Sequence, residues 1–356
     1  MKEYKGRNNW LDVLKGLACF GIVMVHFTAQ NYSDTFTIMI RSIGRTGLPL
    51  FFMISGYLVG IKEVEKHSAW FLRQIKKILT YYLVFSLVLY AVYAAYDLAS
   101  GKGRIVTMQF KLSLERIFTT LIGGQTILAG HLWYFGAYAG CLFVFWCASH
   151  VKWGYSALAV CSPVFLVMYY ILGRYSRVVF DRKFPVYYPR NFLFVAIPMF
   201  ACGFFIPRMK QRIIKLKSNM LMLILLCVLC LVFEAWAFGA VPEYDVGSHE
   251  YFFNTVLAFL ILYFVTGYDL PALSEDNFWV CVGRKYSLYI YVFQYFAARL
   301  CNYSITFSKK YTSTKIFATM YQYGRNIFVF IVALLIGILC YHIEQWISKK
   351  MRKGRA

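Results

Sequence analysis

The sequence predicts an all-α fold, a polytopic transmembrane helical bundle of about ten spans with both termini cytoplasmic. Three observations predict it. The 356 residues are 60% hydrophobic, 20% aromatic and only 15% charged, with a mean hydropathy of +0.55, more apolar surface than a soluble domain with one core can bury. Apolar runs of roughly 18 to 24 residues recur, each long enough to cross a hydrocarbon layer of about 30 Å as a helix, and lipid offers no partner for unpaired backbone groups. Runs such as Met220 to Phe233 and Ile327 to Cys340 do not alternate between polar and apolar residues, which excludes a transmembrane barrel.

In chain order, the predicted spans are residues 10–30, 44–61, 78–98, 132–149, 155–172, 191–207, 219–239, 251–268, 286–307 and 324–346. With the N-terminus inside, the inner segments hold about twenty-one Lys and Arg, including the tail cluster Lys349, Lys350, Arg352, Lys353 and Arg355, against about fifteen outside; this bias places both ends in the cytoplasm. The stretch Ile117 to Gly130 is apolar but short and broken by Gly123, Gly124 and Gly130, and reads as re-entrant or interfacial. Lys15 stands near the start of the first apolar run and no small-residue cleavage site follows it, so that run is expected to stay as an anchor. No repeat or Gly, Ser or Pro-rich linker divides the chain, and residues 1–356 read as one multi-pass domain of the cell membrane.

A formal net charge of +22 invites a nucleic-acid reading. The positive residues sit in short loops between spans, however, where anionic lipid and topology account for them, so the expected partner is the lipid bilayer and no nucleic acid is expected. Nine of the ten cysteines fall inside predicted spans, with Cys281 alone in a loop. They read as small buried apolar residues, and neither a structural disulfide nor a metal site is expected.

Ionisable side chains inside a span cost several kcal/mol unless paired or hydrated, which makes each a functional candidate. In the first span Asp12, Lys15 and His26 share one helical face, since the eleven residues from Lys15 to His26 return to within about 20° of the starting direction. Lys15 then sits near the cytoplasmic mouth and His26 some 16 Å deeper. A neutral imidazole there either hydrogen-bonds to a neighbouring helix or takes a proton from a hydroxyl group. Glu234 and Arg299 fall at a similar depth in the seventh and ninth spans; they either share that cavity or tie two helices as an ion pair. Glu344 closes the last span near the cytoplasm, where it orients Lys15 or meets headgroup water. Between the second and third spans, Lys62 to Leu79 reads as a basic amphipathic segment, with Trp70 and Phe71 as interface anchors and Arg73, Lys76 and Lys77 on a neighbouring arc. Such an arc holds lipid headgroups or clamps a phosphate.

Several of these residues carry a resemblance. Trp10-Leu11-Asp12-Val13-Leu14-Lys15-Gly16, with His26 after it, resembles the opening signature of the membrane-bound acyltransferase 3 family. Leu48 to Leu58 (LPLFFMISGYL) is similar to that family's PLFFxxSGYL stretch, and Phe71 to Leu79 to its basic R-x-x-R segment. His131-Leu132-Trp133-Tyr134 resembles its HLWF element, and Gly283 to Tyr291 its late GxxSLxIY element. Lys15 stands where the family commonly has Arg, Lys76 replaces the second Arg, Gln294 occupies a frequent His position and Thr80 a frequent Pro position. The lysines keep charge but lose the planar guanidinium fork.

The resemblance implies a ten-helix O-acyltransferase, most often an O-acetyltransferase. Such an enzyme moves an acyl group from cytoplasmic acyl-CoA, normally acetyl-CoA, to a hydroxyl of a surface polysaccharide or lipid-linked glycan. Its expected catalytic set is His26, Lys15, Asp12 and Glu344, with His26 as general base or as acyl-accepting nucleophile. Its expected donor site is Arg73, Lys76 and Lys77 against the CoA phosphates, with Trp133 and Tyr134 as tunnel walls; aromatic residues near a span's end also serve as interface anchors. No metal is implied. The rival readings are a glycan or lipid transporter using the same polar stripe, and a binding or sensory domain that keeps the fold without catalysis.

Overall fold

A computed structural model describes residues 8–27, 35–99, 130–209, 219–240, 249–309 and 315–353, and every regular element among them is helical. Both chain ends and nearly all of the stretch read as re-entrant lie outside the described residues. The helices are α1 Asn9–Phe27, α2 Thr35–Gly44, α3 Gly47–Gly60, α4 His67–Ala99, α5 Trp133–Ala148, α6 Gly154–Leu172, α7 Ser176–Phe180, α8 Ile197–Met209, α9 Met220–Ala240, α10 Phe252–Gly267, α11 Phe278–Cys281, α12 Ser287–Lys309 and α13 Lys315–Lys353. Seven helical segments among the described residues are long and apolar enough to cross a membrane, and α5 and α10 are shorter apolar helices. In α9, Leu221, Leu225 and Leu229 are each more than half exposed. A helix that turns leucine outward on this scale has lipid as its surroundings.

The chain forms two compact units, described separately below. The first comprises Met1–Phe51, Ser218–Ala240 and Tyr251–Ala356. Its core packs Cys19, Val23, Met24 and Phe27 of α1 with Ile290, Ala297 and Ala298 of α12 and with Val329, Phe330 and Ala333 of α13. The approach of α1 to the turn before α12 is close enough that a Cβ on Gly283 would collide with the Asp12 carbonyl oxygen. Where α10 begins, the Glu234 carboxylate of α9 accepts hydrogen bonds from the Phe252 and Phe253 backbone N–H groups at 2.9 and 3.2 Å. Those are two of the donors that a helix start leaves without an intrahelical partner, and the negative charge also suits that end of the helix dipole. Asn254, fully buried, donates to the Ser42 carbonyl and to the Thr46 hydroxyl at 2.8 and 2.9 Å. It is the kind of polar contact that ties helices where no hydrophobic force separates lipid from protein.

The second unit comprises Phe52–Lys217 and Val241–Glu250. There α3 and α8 meet backbone to backbone, Gly56 under Phe200 and Gly203 under Met53, the small-residue packing typical of membrane helices. The segment expected to lie at the interface, Lys62 to Leu79, is different in kind. After a short 3-10 turn at Val64–Lys66 it forms the first turns of α4, one helix of 33 residues that continues into the predicted third span. At about 1.5 Å per residue α4 is about 50 Å long, well beyond a hydrocarbon layer of about 30 Å. Phe71 is not an interface anchor: it is fully buried and touches the rings of His67 and Phe145. Arg73, Lys76 and Lys77 lie on the exposed side of the same helix.

Candidate active site

In the first unit, α1 and α12 pack side by side, and His26 near the end of α1 meets Tyr295 of α12. The tyrosine hydroxyl lies 3.3 Å from His26 Nδ1 and the two rings are 5.5 Å apart. Phe27 packs edge-on against the same tyrosine at 5.2 Å, which limits the ways the phenol can turn. The imidazole is exposed. Tyr295 thus meets one of the two imidazole nitrogens, on the exposed side of α1. Arg299, also exposed, follows Tyr295 by four residues and therefore shares its face of α12.

The lower part of the predicted stripe has a different geometry. Asp12 is buried, its side chain 2% exposed, and its two carboxylate oxygens face two cations: Lys15 Nζ at 3.5 Å and Arg284 Nε at 3.0 Å. Arg284 also donates to Asn9 Oδ1 at 2.6 Å and pairs with Glu275 at 3.0 Å. Asn9 and Trp10 in turn donate to the Leu273 and Pro271 carbonyls at 2.7 and 2.8 Å. The first turns of α1 are thus stitched to the 271–284 segment. Arg284 reaches Asp12 from a π-helical turn, Val282–Tyr286, a local widening of the helix that often marks functional sites. Partial burial works to lower the Arg284 pKa, but its hydrogen bonds to Glu275 and Asp12 outweigh burial and leave it above its ordinary value.

Asp12 and Lys15 therefore come together with each other, while His26 stands about 16 Å beyond Lys15 along α1. Glu344 of α13 accepts a hydrogen bond from the Tyr289 hydroxyl of α12. The sequence places Arg284 and Tyr289 within the late Gly283 to Tyr291 element without giving either a role at the site, and does not single out Tyr295. The signal for Arg284 was present: Asp12 is a carboxylate on an otherwise apolar helix, and one lysine a turn away does not satisfy both of its oxygens.

In the second unit the expected donor residues fall in two groups. Arg73, Lys76 and Lys77 sit in the first three turns of α4, with Lys77 Nζ 5.5 Å from the centre of the Tyr81 ring. Trp133 and Tyr134 open α5, which packs against α4 in the opposite sense: Trp146, near the end of α5, donates to Ser68 at 3.2 Å, and Phe135 stacks near Phe85 at 6.4 Å. The two groups are therefore roughly 18 Å apart along α4. Trp133 is buried beneath the Arg190 guanidinium, 4.1 Å from its ring centre. Tyr134 packs against Phe52 at 4.7 Å and stacks on Tyr138 at 5.7 Å. Among the described residues, no three His, Cys, Asp or Glu side chains converge as a metal site would need.

Compared with known proteins, residues 8–345 match the family model described as an acyltransferase domain, that of the acyltransferase 3 family. No curated protein and no solved structure matches the chain.

Proposed function

Because this chain belongs to the acyltransferase 3 family, and so is a membrane acyltransferase, we propose that it is an O-acetyltransferase. In this reading it takes acetyl groups from cytoplasmic acetyl-CoA and places them on a hydroxyl of a surface polysaccharide or lipid-linked glycan. Membership of an enzyme family sets aside the transporter and sensor readings. The proposed setting is the cell membrane, with ten spans, both termini inside and residues 1–356 acting as one catalytic domain.

The observation that carries the proposal is the accessible His26 imidazole, held through Nδ1 by Tyr295. When Nδ1–H donates to the phenol oxygen, Nε2 carries the lone pair and is the atom proposed to meet the acceptor. The acceptor hydroxyl attacks the thioester carbonyl, the C–O bond forms and the C–S bond breaks. His26 Nε2 takes the hydroxyl proton and returns it to the CoA thiolate as that group leaves. In the nucleophilic variant of the step, Nε2 attacks first, CoA leaves, and the acceptor hydroxyl then displaces an acyl-imidazole. Rapid quenching followed by peptide mass spectrometry separates the two, because only the second yields acetylated His26.

Asp12, Lys15 and Arg284 do not reach His26; they set the height of α1 and are proposed as positioning residues, with Glu344 holding α13 to α12 through Tyr289. Arg73, Lys76 and Lys77 are proposed to bind the CoA phosphates. Charge reversal at Arg73 and Lys76 together is expected to weaken acetyl-CoA binding about tenfold or more, with raised salt reproducing the loss in the parent protein. Calorimetric titration checks this, and equal weakening of acceptor binding would remove the phosphate assignment. The overall proposal is tested by mass spectrometry of surface glycans from a strain lacking the gene against its parent. Loss of acetyl esters from one glycan is the expected result, and an unchanged acetylation pattern contradicts the reading.

A further inference from the structure

The second unit holds a serine and a histidine in the arrangement of a nucleophile and its base. Ser68, in the first turn of α4, places its hydroxyl 3.1 Å from Nε2 of His150, which follows the end of α5. The directions of the surrounding hydrogen bonds are settled by what each partner can do. His150 Nδ1 lies 2.8 Å from the Trp146 carbonyl, an oxygen that only accepts, so in the neutral ring Nδ1 carries the proton and Nε2 the lone pair. The Ser149 hydroxyl, 3.3 Å from Nδ1, gives its own proton to that carbonyl at 2.6 Å and is a second acceptor for Nδ1–H. On the other side the Trp146 indole N–H, which only donates, donates to Ser68 Oγ at 3.2 Å. The Ser68 proton is therefore directed at His150 Nε2. The Trp146 ring also packs edge-on against the imidazole, with 4.9 Å between centres, and steadies its plane. Nucleophile, base and an orienting acceptor behind the base thus stand in line, with a backbone carbonyl where a serine triad has a carboxylate.

The surroundings suit an acyl thioester. His150 is exposed and Ser68 half-buried. Both fall outside the predicted spans, in segments expected to face the cytoplasm. Arg73 donates through Nε to the Ala69 carbonyl at 3.3 Å, which folds its side chain back toward the start of α4. Arg73 and Lys76 lie about 7.5 and 12 Å from Ser68 along the helix, distances that an extended pantetheine arm covers. We propose that Ser68 and His150 form a second reactive centre, an esterase-type dyad that takes an acyl group from acyl-CoA and passes it to water. The proposal rests on the acyl-CoA reading of α4 and adds to it a hydrolytic activity. Ser68 Oγ attacks the thioester carbonyl, the C–O bond forms, the C–S bond breaks, and the serine proton passes through His150 Nε2 to the CoA thiolate. Water then attacks the acyl-serine with His150 as its base, which frees the carboxylic acid and returns a proton to Ser68 Oγ.

The test uses the full-length His26→Ala protein in lipid nanodiscs, so that the α1 site takes no part, with two probes. The first is a fluorophosphonate, which a base-activated serine captures irreversibly at phosphorus and which needs no phosphate-binding site. Peptide mass spectrometry should find it on Ser68, and a further His150→Gln change should slow its capture about 10²- to 10⁴-fold. His150 is exposed, so that change should leave the melting temperature where it was. No label on Ser68, or capture at an unchanged rate in His150→Gln, overturns the dyad. The second probe is radiolabelled acetyl-CoA, from which free acetate should be released without any glycan present, and Ser68→Ala should stop the release. Capture of the fluorophosphonate without release of acetate shows that acyl-CoA is not the substrate, and so overturns the proposal too. Acetyl transfer measured in parallel on the parent protein keeps the two readings apart: transfer to glycan that persists when Ser68 proves inert leaves the His26 mechanism standing.

Discussion

His26→Ala is expected to lower acetyl transfer by about 10²- to 10⁴-fold, the share of a rate that a positioned general base supplies. The change should appear in kcat. His26 lies on an exposed face, beside Tyr295 and Phe27, so its removal opens no buried cavity and the protein should keep its melting temperature in detergent. Binding of acetyl-CoA should also persist, since the residues assigned to the phosphates belong to α4. Purified variant and parent, incubated with radiolabelled acetyl-CoA and acceptor, give the rate directly. Transfer at the parent rate in the variant would show that the proton is taken elsewhere and would remove the mechanism described above.

The second large effect concerns stability. Arg284→Met leaves the Asp12 carboxylate buried at 2% exposure with Lys15 as its described cation, and breaking a buried pair from one side costs about 3–5 kcal/mol. Lys15 retains part of the interaction, so the lower end of that range is expected, read as an earlier unfolding transition in detergent. Asp12→Leu combined with Arg284→Met should recover most of the loss, because removing both charges ends the desolvation cost that the single change exposes. Residual acetyl transfer in the recovered double variant would mark Asp12 as structural. A single variant that unfolds at the parent temperature would show that the Asp12 and Arg284 contact holds nothing.

The helices were legible because lipid enforces them: nearly every predicted span coincides with a helix to within a few residues, and in the two where a helix runs farther, α4 and α13, charged or polar turns prolong an apolar one. Composition could not show that the basic turns of α4 and the following span are a single element, because a charge cluster next to an apolar run looks the same whether the helix breaks or continues. Phe71 was misplaced for a related reason. An aromatic residue among lysines suggests the interface, but helical spacing turns that ring inward, toward His67 and Phe145. Of the site, His26 was visible as a titratable group at depth, and Asp12 and Lys15 as its companions on one face. Tyr295 was not visible, since one tyrosine among many carries no signal until a neighbouring helix sets its partner. From its depth Glu234 reads as sharing the His26 cavity or as an ion-pair partner of Arg299. Its hydrogen bonds to the start of α10 depend on where a turn ends, which spacing along α9 does not encode.

The ion cluster at the foot of α1 has a mechanical consequence. A continuous helix transmits axial displacement with little loss, so the anchoring of Asp12 by Arg284 and of Trp10 by the Pro271 carbonyl fixes the altitude of an imidazole four turns away. Whatever pulls on the 271–284 strap acts as a piston rod on His26, and a displacement of a single ångström there would be felt at the imidazole proposed to carry the acyl transfer.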